Sequence, residues 1–282
     1  MSKSLILLSN ESDFIAPSEL RGDDAEVKLY EVGGSVRDEL LGKDSNDKDY
    51  VAVCPQGWEP LLKWANAYFD KVFLVTPEFF TIRGIKDGDV MDVVMARKEG
   101  DYTDGRHPDK CEPGTLEDDL ARRDFTMNAI AKDPETGELI DPFDGQQAIA
   151  DRMIHCRGET VSRMEEDALR ILRAIRFHIT LDFELSDDLW EILSTNILRD
   201  GSCGERTYME RLLGKVSRER VREELTKMFK HNWRKSMGFF STGRIRQILR
   251  NLHPSPSQVL HADLVTAIFG NDIWLKPTSE GK

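Results

Sequence analysis

The chain has 282 residues, of which 32% are charged and 39% are apolar, and its formal net charge at pH 7 is −12. This composition is typical of a folded protein with one large domain or two modest ones, and it excludes a low-complexity or fibrous chain. The N-terminal apolar run LILL is far too short for a signal sequence or a membrane span, so we expect a cytoplasmic protein. The four cysteines are widely spaced without a CxxC pair, which indicates reduced thiols rather than a zinc site or disulfides.

Strand and helix patterns alternate in the first half of the chain. Apolar residues with helical spacing predict a helix at 58–69. Residues 100–116 are rich in Gly, Pro and Asp and are predicted to form a long loop, a feature that is usually functional or mobile. Short runs of β-branched and aromatic residues predict strands at 27–32, 49–53, 71–76, 79–85 and 90–96.

A glycine pair, Gly33 and Gly34, follows the first predicted strand and precedes a short helical run that contains Arg37. Glycines at such a turn let backbone N–H groups approach a phosphate closely, and an arginine one helical turn later can reach the same anion. The glycine pair alone fits an ordinary tight turn as well.

Two acids, Asp47 and Asp49, stand at i and i+2 where the second strand begins. Side chains with this spacing on a strand point to the same face. Like charges that close are costly unless a cation lies between them, and paired carboxylates are suitable ligands for Mg²⁺. The motif therefore predicts a metal site, with an acidic strand end at the surface as the alternative.

The segment LARRDFTMNAIA, at 120–131, places Arg-Arg-Asp at the start of a predicted helix, where these residues also fit a simple charged cap. After DPFDGQ, at 141–146, the pattern is helical almost throughout. In RMEEDALRILRAIRF, at 163–177, the charged residues lie opposite an apolar helical face, which alone indicates an amphipathic helix with an i,i+3 ion pair. The predicted helices are 147–153, 165–178, 186–195, 205–215, 217–230 and 242–251.

Basic residues are concentrated late in the chain. Residues 203–250 carry thirteen Lys and Arg against five Glu, so this segment is positive although the chain as a whole is negative. Such a segment is either a phosphate-binding surface or a solvated helical surface, and charge alone leaves both possibilities open.

Taken together and in order, GGSVRDELLG, DKD, RRDFTMNA, EDALRILRAIRF and KVSRERVREEL resemble motifs of the class II tRNA nucleotidyltransferases, which are the CCA-adding enzymes, and of bacterial poly(A) polymerases. The resemblance covers about residues 28–230. It implies an α+β fold, with a DNA-polymerase-beta-like head that contains a small mixed sheet and is followed by an all-α neck and body. The implied division is an N-terminal extension at 1–26, a catalytic head at 27–146, a neck at 147–215 and a shortened tRNA-binding body at 216–282.

The same resemblance implies roles for individual residues. Asp47 and Asp49 would bind the metal ions, two Mg²⁺, and Asp92 stands where a third catalytic carboxylate of the superfamily often falls. The basic segment would bind tRNA, with Arg218, Arg220 and Arg222 as candidates. The residues implied to contact the nucleotide are Gly33, Gly34, Arg37, Arg123, Asp124, Asp167, Arg170, Arg173 and Arg176.

The EDALR segment is the implied base-reading element, and its chemistry agrees with that role. Cytosine and adenine both present an exocyclic amine beside a ring-nitrogen acceptor. Asp167 can accept from the amine while Arg170 donates to the ring nitrogen. Uracil and guanine place a carbonyl where the amine should be, and each unmatched buried polar group costs about 1–3 kcal/mol.

We therefore expect an enzyme that adds CMP, CMP and AMP to the tRNA 3′ end from CTP and ATP without a template, by metal-dependent phosphoryl transfer that releases pyrophosphate. The loop segments RKEGDY and DGRHP resemble the flexible loop of relatives that add the terminal A. An A-adding enzyme or poly(A) polymerase is the second hypothesis, and an inactive tRNA-binding remnant is the third. No membrane or protein partner is expected.

Overall fold

The computed structural model describes residues 26–45, 48–99, 111–194 and 216–241. The chain divides into two compact units, Met1–Asp151 and Arg152–Lys282. Within the described ranges, no helix has both the length and the apolar character that a membrane crossing requires. Some predicted features lie outside the described residues, namely most of the N-terminal extension, Asp47, residues 100–110 of the predicted loop and the predicted helices 205–215 and 242–251.

A mixed seven-stranded sheet forms the centre of the first unit. Its strand order is β3-β4-β5-β2-β1-β8-β9, and neighbouring strands are antiparallel except β2 and β5, which are parallel. The five predicted strands and the α+β class are confirmed. The strands of this sheet are β1 (Lys28–Val32), β2 (Asp49–Val53), β3 (Lys71–Thr76), β4 (Thr81–Lys86), β5 (Asp89–Met95), β8 (Ala131–Lys132) and β9 (Leu139–Ile140).

Alternation along the strands gives the sheet two apolar faces. Helix α2 (Trp58–Tyr68) covers one face, where its buried Leu61 and Ala65 join Ala52, Ile82 and Val93. Full burial of such a leucine is worth about 1.5–3 kcal/mol relative to exposure. The predicted helix at 58–69 is thus confirmed, and it ends where Phe69 adopts an extended backbone.

The opposite face carries a second apolar cluster, which includes Val32 and Val51 of the sheet and Leu120 of helix α3 (Leu116–Ala121). Asp49 and Val32 are register partners, so the Asp49 side chain points to this face. Helix α1 (Gly34–Leu40) follows β1, and helix α4 (Gly145–Ala150) comes near the end of the unit.

Two sequence predictions in the first unit were wrong in part. Residues Cys111–Pro113 do not belong to a loop but form β7, which pairs with β6 (Arg97–Glu99). A helix does not start at Arg-Arg-Asp, because α3 begins earlier, at the capping box of Thr115 and Asp118, and Arg122 is already its C-cap. The apolar run behind Arg-Arg-Asp forms a single 3-10 turn, Thr126–Asn128, and then β8.

The described part of the second unit is mainly helical. Helix α6 (Leu169–Leu181) packs against helix α8 (Arg218–Ser241), which is interrupted by non-helical backbone at Asn232. At the end of the first unit, the helix predicted at 147–153 stops earlier than expected, because α4 ends at Ala150 and Met153 already belongs to a strand. The remaining elements are α5 (Thr160–Glu166), α7 (Asp187–Ser194) and the parallel pair β10 (Met153–Ile154) and β11 (Glu184–Leu185).

The predicted continuous helix at 165–178 was wrong. Asp167 has φ −143° and ψ 102°, an extended conformation that separates α5 from α6. Asp167 and Arg170 therefore do not form an i,i+3 pair on one helix. Asp167 lies in the break, and Arg170 lies in the first turn of α6.

Candidate active site

The glycine turn lies at the end of β1. Gly33 has φ 82° and ψ −130°, a conformation that L side chains rarely adopt, so glycine is needed here. Its carbonyl oxygen accepts the first helical hydrogen bond of α1, from the Arg37 N–H at 3.1 Å. The predicted turn and the short helix behind it are both present.

Arg37 is buried and connects the glycine turn to the RRDFTMNA segment. Its Nη1 donates to Asn128 Oδ1 at 2.6 Å, and its Nη2 donates to Asp38 Oδ1 at 2.8 Å. The amide of Asn128 in turn donates to Asp124 Oδ1 at 2.9 Å. The structure thus brings together Arg37 and Asp124, two of the predicted nucleotide-contacting residues, through an asparagine that the sequence did not single out.

Arg123 lies directly over the glycine turn. A Cβ atom built at Gly33 would stand 2.9 Å from Arg123 Nη1, which is too close for a normal contact. On its other side, Arg123 Nη2 donates to Asp119 Oδ2 at 3.1 Å. The same carboxylate also binds Arg122, and Asp119 is fully buried.

The parallel ladder of β2 and β5 makes Asp49 and Asp92 register partners. Partners on neighbouring strands point to the same face, so the two carboxylates lie side by side at one end of the sheet. Val32, the last residue of β1, is the antiparallel partner of Asp49, and the glycine turn begins at the next residue. The acids and the phosphate-binding candidate therefore share one edge of the first unit.

Arg83 occupies the position across from Asp92 on β4, and its guanidinium forms a bidentate ion pair with the Asp92 carboxylate. This pair supplies positive charge beside two neighbouring acids, which reduces the repulsion between them. The pairing was not anticipated, because Arg83 lies in an otherwise ordinary strand segment.

Carboxylate oxygens from neighbouring strands are the donor type that hard divalent cations prefer, so Asp49 and Asp92 fit such an ion in chemistry. Asp47, the other predicted ligand, lies outside the described residues. Among the residues that are described, no group of three or more His, Cys, Asp or Glu side chains is arranged to hold a metal.

The side chain of Lys48, the middle residue of DKD, points to the face opposite Asp49. Its Nζ lies 3.2 Å from Oε2 of the buried Glu31, whose register partner is Tyr50 rather than Asp49. The hydrogen bond to Glu31 raises the pKa of Lys48 above its usual value. Asp49 and Lys48 therefore point to opposite faces of the strand, which separates the Asp49 carboxylate from the Lys48–Glu31 ion pair.

In the second unit, Asp167 lies in the break between α5 and α6. Its Oδ1 accepts from the Leu169 N–H at 3.0 Å and from Arg220 Nη1 at 3.2 Å, and its Oδ2 accepts from Arg220 Nη2 at 2.7 Å. A carboxylate has about four acceptor positions, so these three bonds leave capacity for a further donor. Arg220, predicted to bind tRNA, is thus engaged with the predicted base-reading aspartate.

Arg170 is buried, and its Nη1 donates to the Arg163 carbonyl oxygen at 2.8 Å and to Glu166 Oε2 at 2.7 Å. Arg163 also pairs with Glu166. The pKa of Arg163 is lowered, chiefly because burial disfavours its charged form. The first helical turn of α6 is therefore tied to α5 across the break.

The other two arginines of the EDALRILRAIRF segment lie further along α6. Arg176 Nε donates to Oε2 of the buried Glu224 on α8 at 2.5 Å, and its guanidinium carbon lies 3.9 Å from the centre of the Phe177 ring. Arg173 also lies over this ring, at 5.7 Å. Of the predicted tRNA-binding residues, Arg222 is exposed on α8, whereas the Arg218 side chain lies outside what the structure describes.

The comparisons with known proteins agree with the family resemblance that the sequence motifs indicate. Residues 29–155 match the family model described as the poly A polymerase head domain. A curated CCA-adding enzyme of Geobacillus thermodenitrificans is 39% identical over 202 residues, which cover 71% of this chain and 45% of that protein.

Solved structures are similar over most of the chain. The CCA-adding enzyme of Bacillus stearothermophilus in complex with CTP matches with a TM-score of 0.65 and 31% identity, covering 84% of this chain and 53% of that one. The CCA-adding enzyme of Thermotoga maritima in complex with tRNA matches with a TM-score of 0.60 and 26% identity, covering 85% and 54%. The chain thus spans about half the length of the relatives that it matches.

Proposed function

The chain belongs to the family of the CCA-adding enzymes and poly(A) polymerases, whose head domain it carries at residues 29–155, and we propose that it adds CCA to the 3′ end of tRNA from CTP and ATP. One observation carries this proposal: the candidate metal ligands and the candidate phosphate-binding turn lie at the same edge of the first unit. There, Asp49 and Asp92 lie side by side, and the glycine turn with Arg123 follows the neighbouring strand.

In the proposed reaction, the terminal 3′-hydroxyl of tRNA attacks the α-phosphorus of the nucleotide. A new phosphodiester bond forms, the bond to pyrophosphate breaks, and the hydroxyl proton is lost to solvent. Arg123 would bind the triphosphate beside the backbone of Gly33 and Gly34, while Arg37 and Asp124 would keep this turn in register through Asn128. Positioning and charge stabilisation supply most of the rate enhancement in such transfers.

Nucleotidyltransferases of this kind generally use divalent metal ions, and we propose two Mg²⁺ ions, held by Asp47, Asp49 and Asp92. A bound ion of this type acidifies a hydroxyl and neutralises developing phosphate charge. The contribution of the chain is to hold the Asp49 and Asp92 carboxylates on one sheet face, with Arg83 limiting their repulsion until an ion is present.

Base selection belongs, in this proposal, to the break between α5 and α6. Asp167 would accept from the exocyclic amine of cytosine or adenine, and Arg170 would donate to the neighbouring ring acceptor. Arg220 orients the Asp167 carboxylate. Arg173 would add positive charge on α6, whereas the charge of Arg176 is balanced by the buried Glu224. The extended conformation of Asp167 suits this role, because the hydrogen bonds from the Leu169 N–H and from Arg220 fix the direction of its carboxylate.

The remaining roles follow from charge and sequence position. We propose 1–26 as an extension, 27–146 as the catalytic head, 147–215 as a neck and 216–282 as a tRNA-binding body, with Arg218 and Arg222 at phosphates. The partners would be tRNA, CTP and ATP, in the cytoplasm.

The decisive experiment incubates tRNA that lacks CCA with labelled CTP and ATP and measures product length. The wild type should extend the tRNA by CCA, whereas Asp49→Asn and Asp92→Asn should lower the rate by about 10²–10³-fold, since each removes a charge that stabilises the transition state. Asp89→Asn is the matched control, because Asp89 begins the same strand three residues before Asp92, so its side chain points to the opposite face of the sheet.

Each alternative predicts a different product. An A-adding or poly(A)-tailing enzyme would use ATP alone, either on tRNA that ends in CC or in long tails. An inactive remnant would bind tRNA without incorporating label, and equal background incorporation by wild type and Asp49→Asn would contradict the proposal.

A further inference from the structure

We propose that Asp119 is a positioning residue, which holds the Arg123 guanidinium over the glycine turn so that it meets the triphosphate of the incoming nucleotide. This inference rests on the proposed function, in which Arg123 binds that triphosphate. Asp119 lies outside the motifs by which the sequence was recognised, and it contributes no predicted ligand or base contact.

The geometry of Asp119 distinguishes it from the other acids of α3. It has no exposed surface, whereas Glu117 is exposed and Asp118 completes the helix cap. A buried carboxylate is costly unless its oxygens are paired. The two oxygens of Asp119 are divided between two arginines. Oδ1 accepts from Arg122 Nε at 2.8 Å, and Oδ2 accepts from Arg123 Nη2 at 3.1 Å.

Arg123 is confined from two sides. Asp119 binds Nη2, and the surface of Gly33 faces Nη1, where even a Cβ atom would come within 2.9 Å. A long arginine side chain otherwise loses much of its rotamer entropy when a ligand fixes it. A guanidinium that is already fixed in the free protein avoids much of that cost on binding.

The position of Arg123 suits contact with an anion. Asp119 shares its two oxygens between Arg122 and Arg123, and the Arg123 guanidinium lies beside the Gly33 turn. That turn was assigned to phosphate binding on independent grounds, the backbone conformation of Gly33.

The test measures equilibrium binding of CTP by isothermal titration, with MgCl₂ in the buffer, for wild type, Asp119→Asn and the control Glu117→Gln. Asn keeps the shape of Asp119 but presents an N–H group toward one guanidinium. We expect the Kd of Asp119→Asn to rise about tenfold, which corresponds to about 1.4 kcal/mol. Glu117→Gln makes the same charge change on the same helix and should leave Kd unchanged.

The titration separates positioning from folding. Irreversibly unfolded chains lower the number of sites per chain at constant Kd, whereas displacement of Arg123 raises Kd in every folded molecule. Reversible unfolding would itself raise the apparent Kd, so circular dichroism at the assay temperature first measures the folded fraction of each variant. If Asp119→Asn does not fold at the assay temperature, Asp119→Glu replaces it, because Glu keeps the charge but moves the oxygens, and Kd should rise in the same direction.

A double-mutant cycle identifies the route of the effect. If Asp119 acts through Arg123, then Asp119→Asn should add nothing to the Kd of Arg123→Gln. Additive effects, or equal Kd values for wild type and Asp119→Asn, would overturn the inference while the CCA-addition assay still supports the proposed function. A wild-type protein that binds neither CTP nor ATP would overturn both.

Discussion

At Gly33, the lack of a side chain serves two separate needs. The backbone has φ 82°, and the Arg123 guanidinium occupies the space where a Cβ atom would lie. A residue that is constrained both by conformation and by a cationic neighbour cannot be replaced without moving one of them. Such a double constraint is what a close approach of backbone to phosphate requires.

Gly33→Ala should therefore lower both stability and nucleotide affinity. The strained backbone should cost about 1–3 kcal/mol, and displacement of Arg123 should raise the Kd for CTP. Gly42→Ala is the control, because Gly42 also has a positive φ, 68°, but a Cβ atom added there would have no neighbour within 4 Å. Chemical denaturation and CTP titration of both variants check this, and equal Kd values for the two would contradict it.

The sequence points to candidate residues whose placement follows from local geometry, and it misses residues that are placed by contacts across the fold. Gly33, Arg37 and Asp49 were predicted because strand and turn spacing is visible in the chain. Asn128 was not, since its partner Arg37 is distant in sequence, and Arg83 was not, since its contact with Asp92 depends on the register of the β4–β5 hairpin. For Asp119 a signal did exist, because acids at i−3 and i−4 from arginines meet them on a helical face.

On the scale of elements, helix α3 carries Asp119 and leads into Arg123, so its start matters for the site. Thr115 and Asp118 form a capping box, in which each side chain bonds to the backbone N–H of the other. The predicted helix start at Arg-Arg-Asp failed because this cap lies several residues earlier, and the polar run LEDD concealed the helix.

We expect Thr115→Ala to reduce the free energy of unfolding by about 1 kcal/mol.

The pKa of Asp118 lies below its ordinary value of 3.8, chiefly because the Thr115 backbone N–H donates to the carboxylate and because the Thr115 hydroxyl does so too. The contribution of the charged Asp118 carboxylate to the free energy of unfolding is therefore present above pH 3.8, and it is lost as pH falls through the lower folded-state pKa.

Denaturation of wild type and Asp118→Asn at several pH values measures this dependence. The difference in unfolding free energy should be constant near neutral pH and should shrink in acid. Glu117→Gln serves as the control for a general charge effect, and a difference that grows as pH falls would contradict the cap.

The break between α5 and α6 is the second element that the sequence did not predict. Helical periodicity continues through residues 163–177, and nothing in it marks Asp167 as extended. The break is instead held by a long-range ion pair from Arg220 to Asp167 and by shorter-range bonds across it, among Arg163, Glu166 and Arg170. Tertiary contacts of this kind override local propensity.

Asp167→Ala should relax discrimination between CTP and UTP by about tenfold or more, because the acceptor that rejects a carbonyl is lost. The ratio of kcat/KM for the two nucleotides, measured on CCA-less tRNA, checks this. Asp188→Ala removes an exposed acid from α7 in the same unit and should leave the ratio unchanged. An unaltered ratio for Asp167→Ala would remove its base-reading role.

For the molecule as a whole, the proposed function requires an acidic chain to bind an acidic nucleic acid. Its basic residues are concentrated in 203–250, and the structure divides the predicted tRNA-binding arginines of α8 by environment. Arg222 is exposed, whereas Arg220 is held by Asp167. Only an arginine that meets phosphate displaces counterions on binding.

Arg222→Gln should therefore weaken tRNA binding and reduce the slope of log K against log salt by about 1, whereas Arg220→Gln should leave the slope nearly unchanged. The two variants remove the same charge from positions two residues apart on one helix, so each is the control for the other. Binding measured across a salt series decides, and equal slopes for the two variants would contradict the division.

The parallel ladder of β2 and β5 also has a consequence for how the protein matures. The β3–β4–β5 meander needs only short connections, but pairing β5 with β2 encloses α2 and both hairpins in one long loop. Such closures are slow relative to local pairing. We therefore expect truncation of Val51 or Val94 to accelerate unfolding with little effect on the refolding rate, which would mean that the two acids first become neighbours after the transition state for folding.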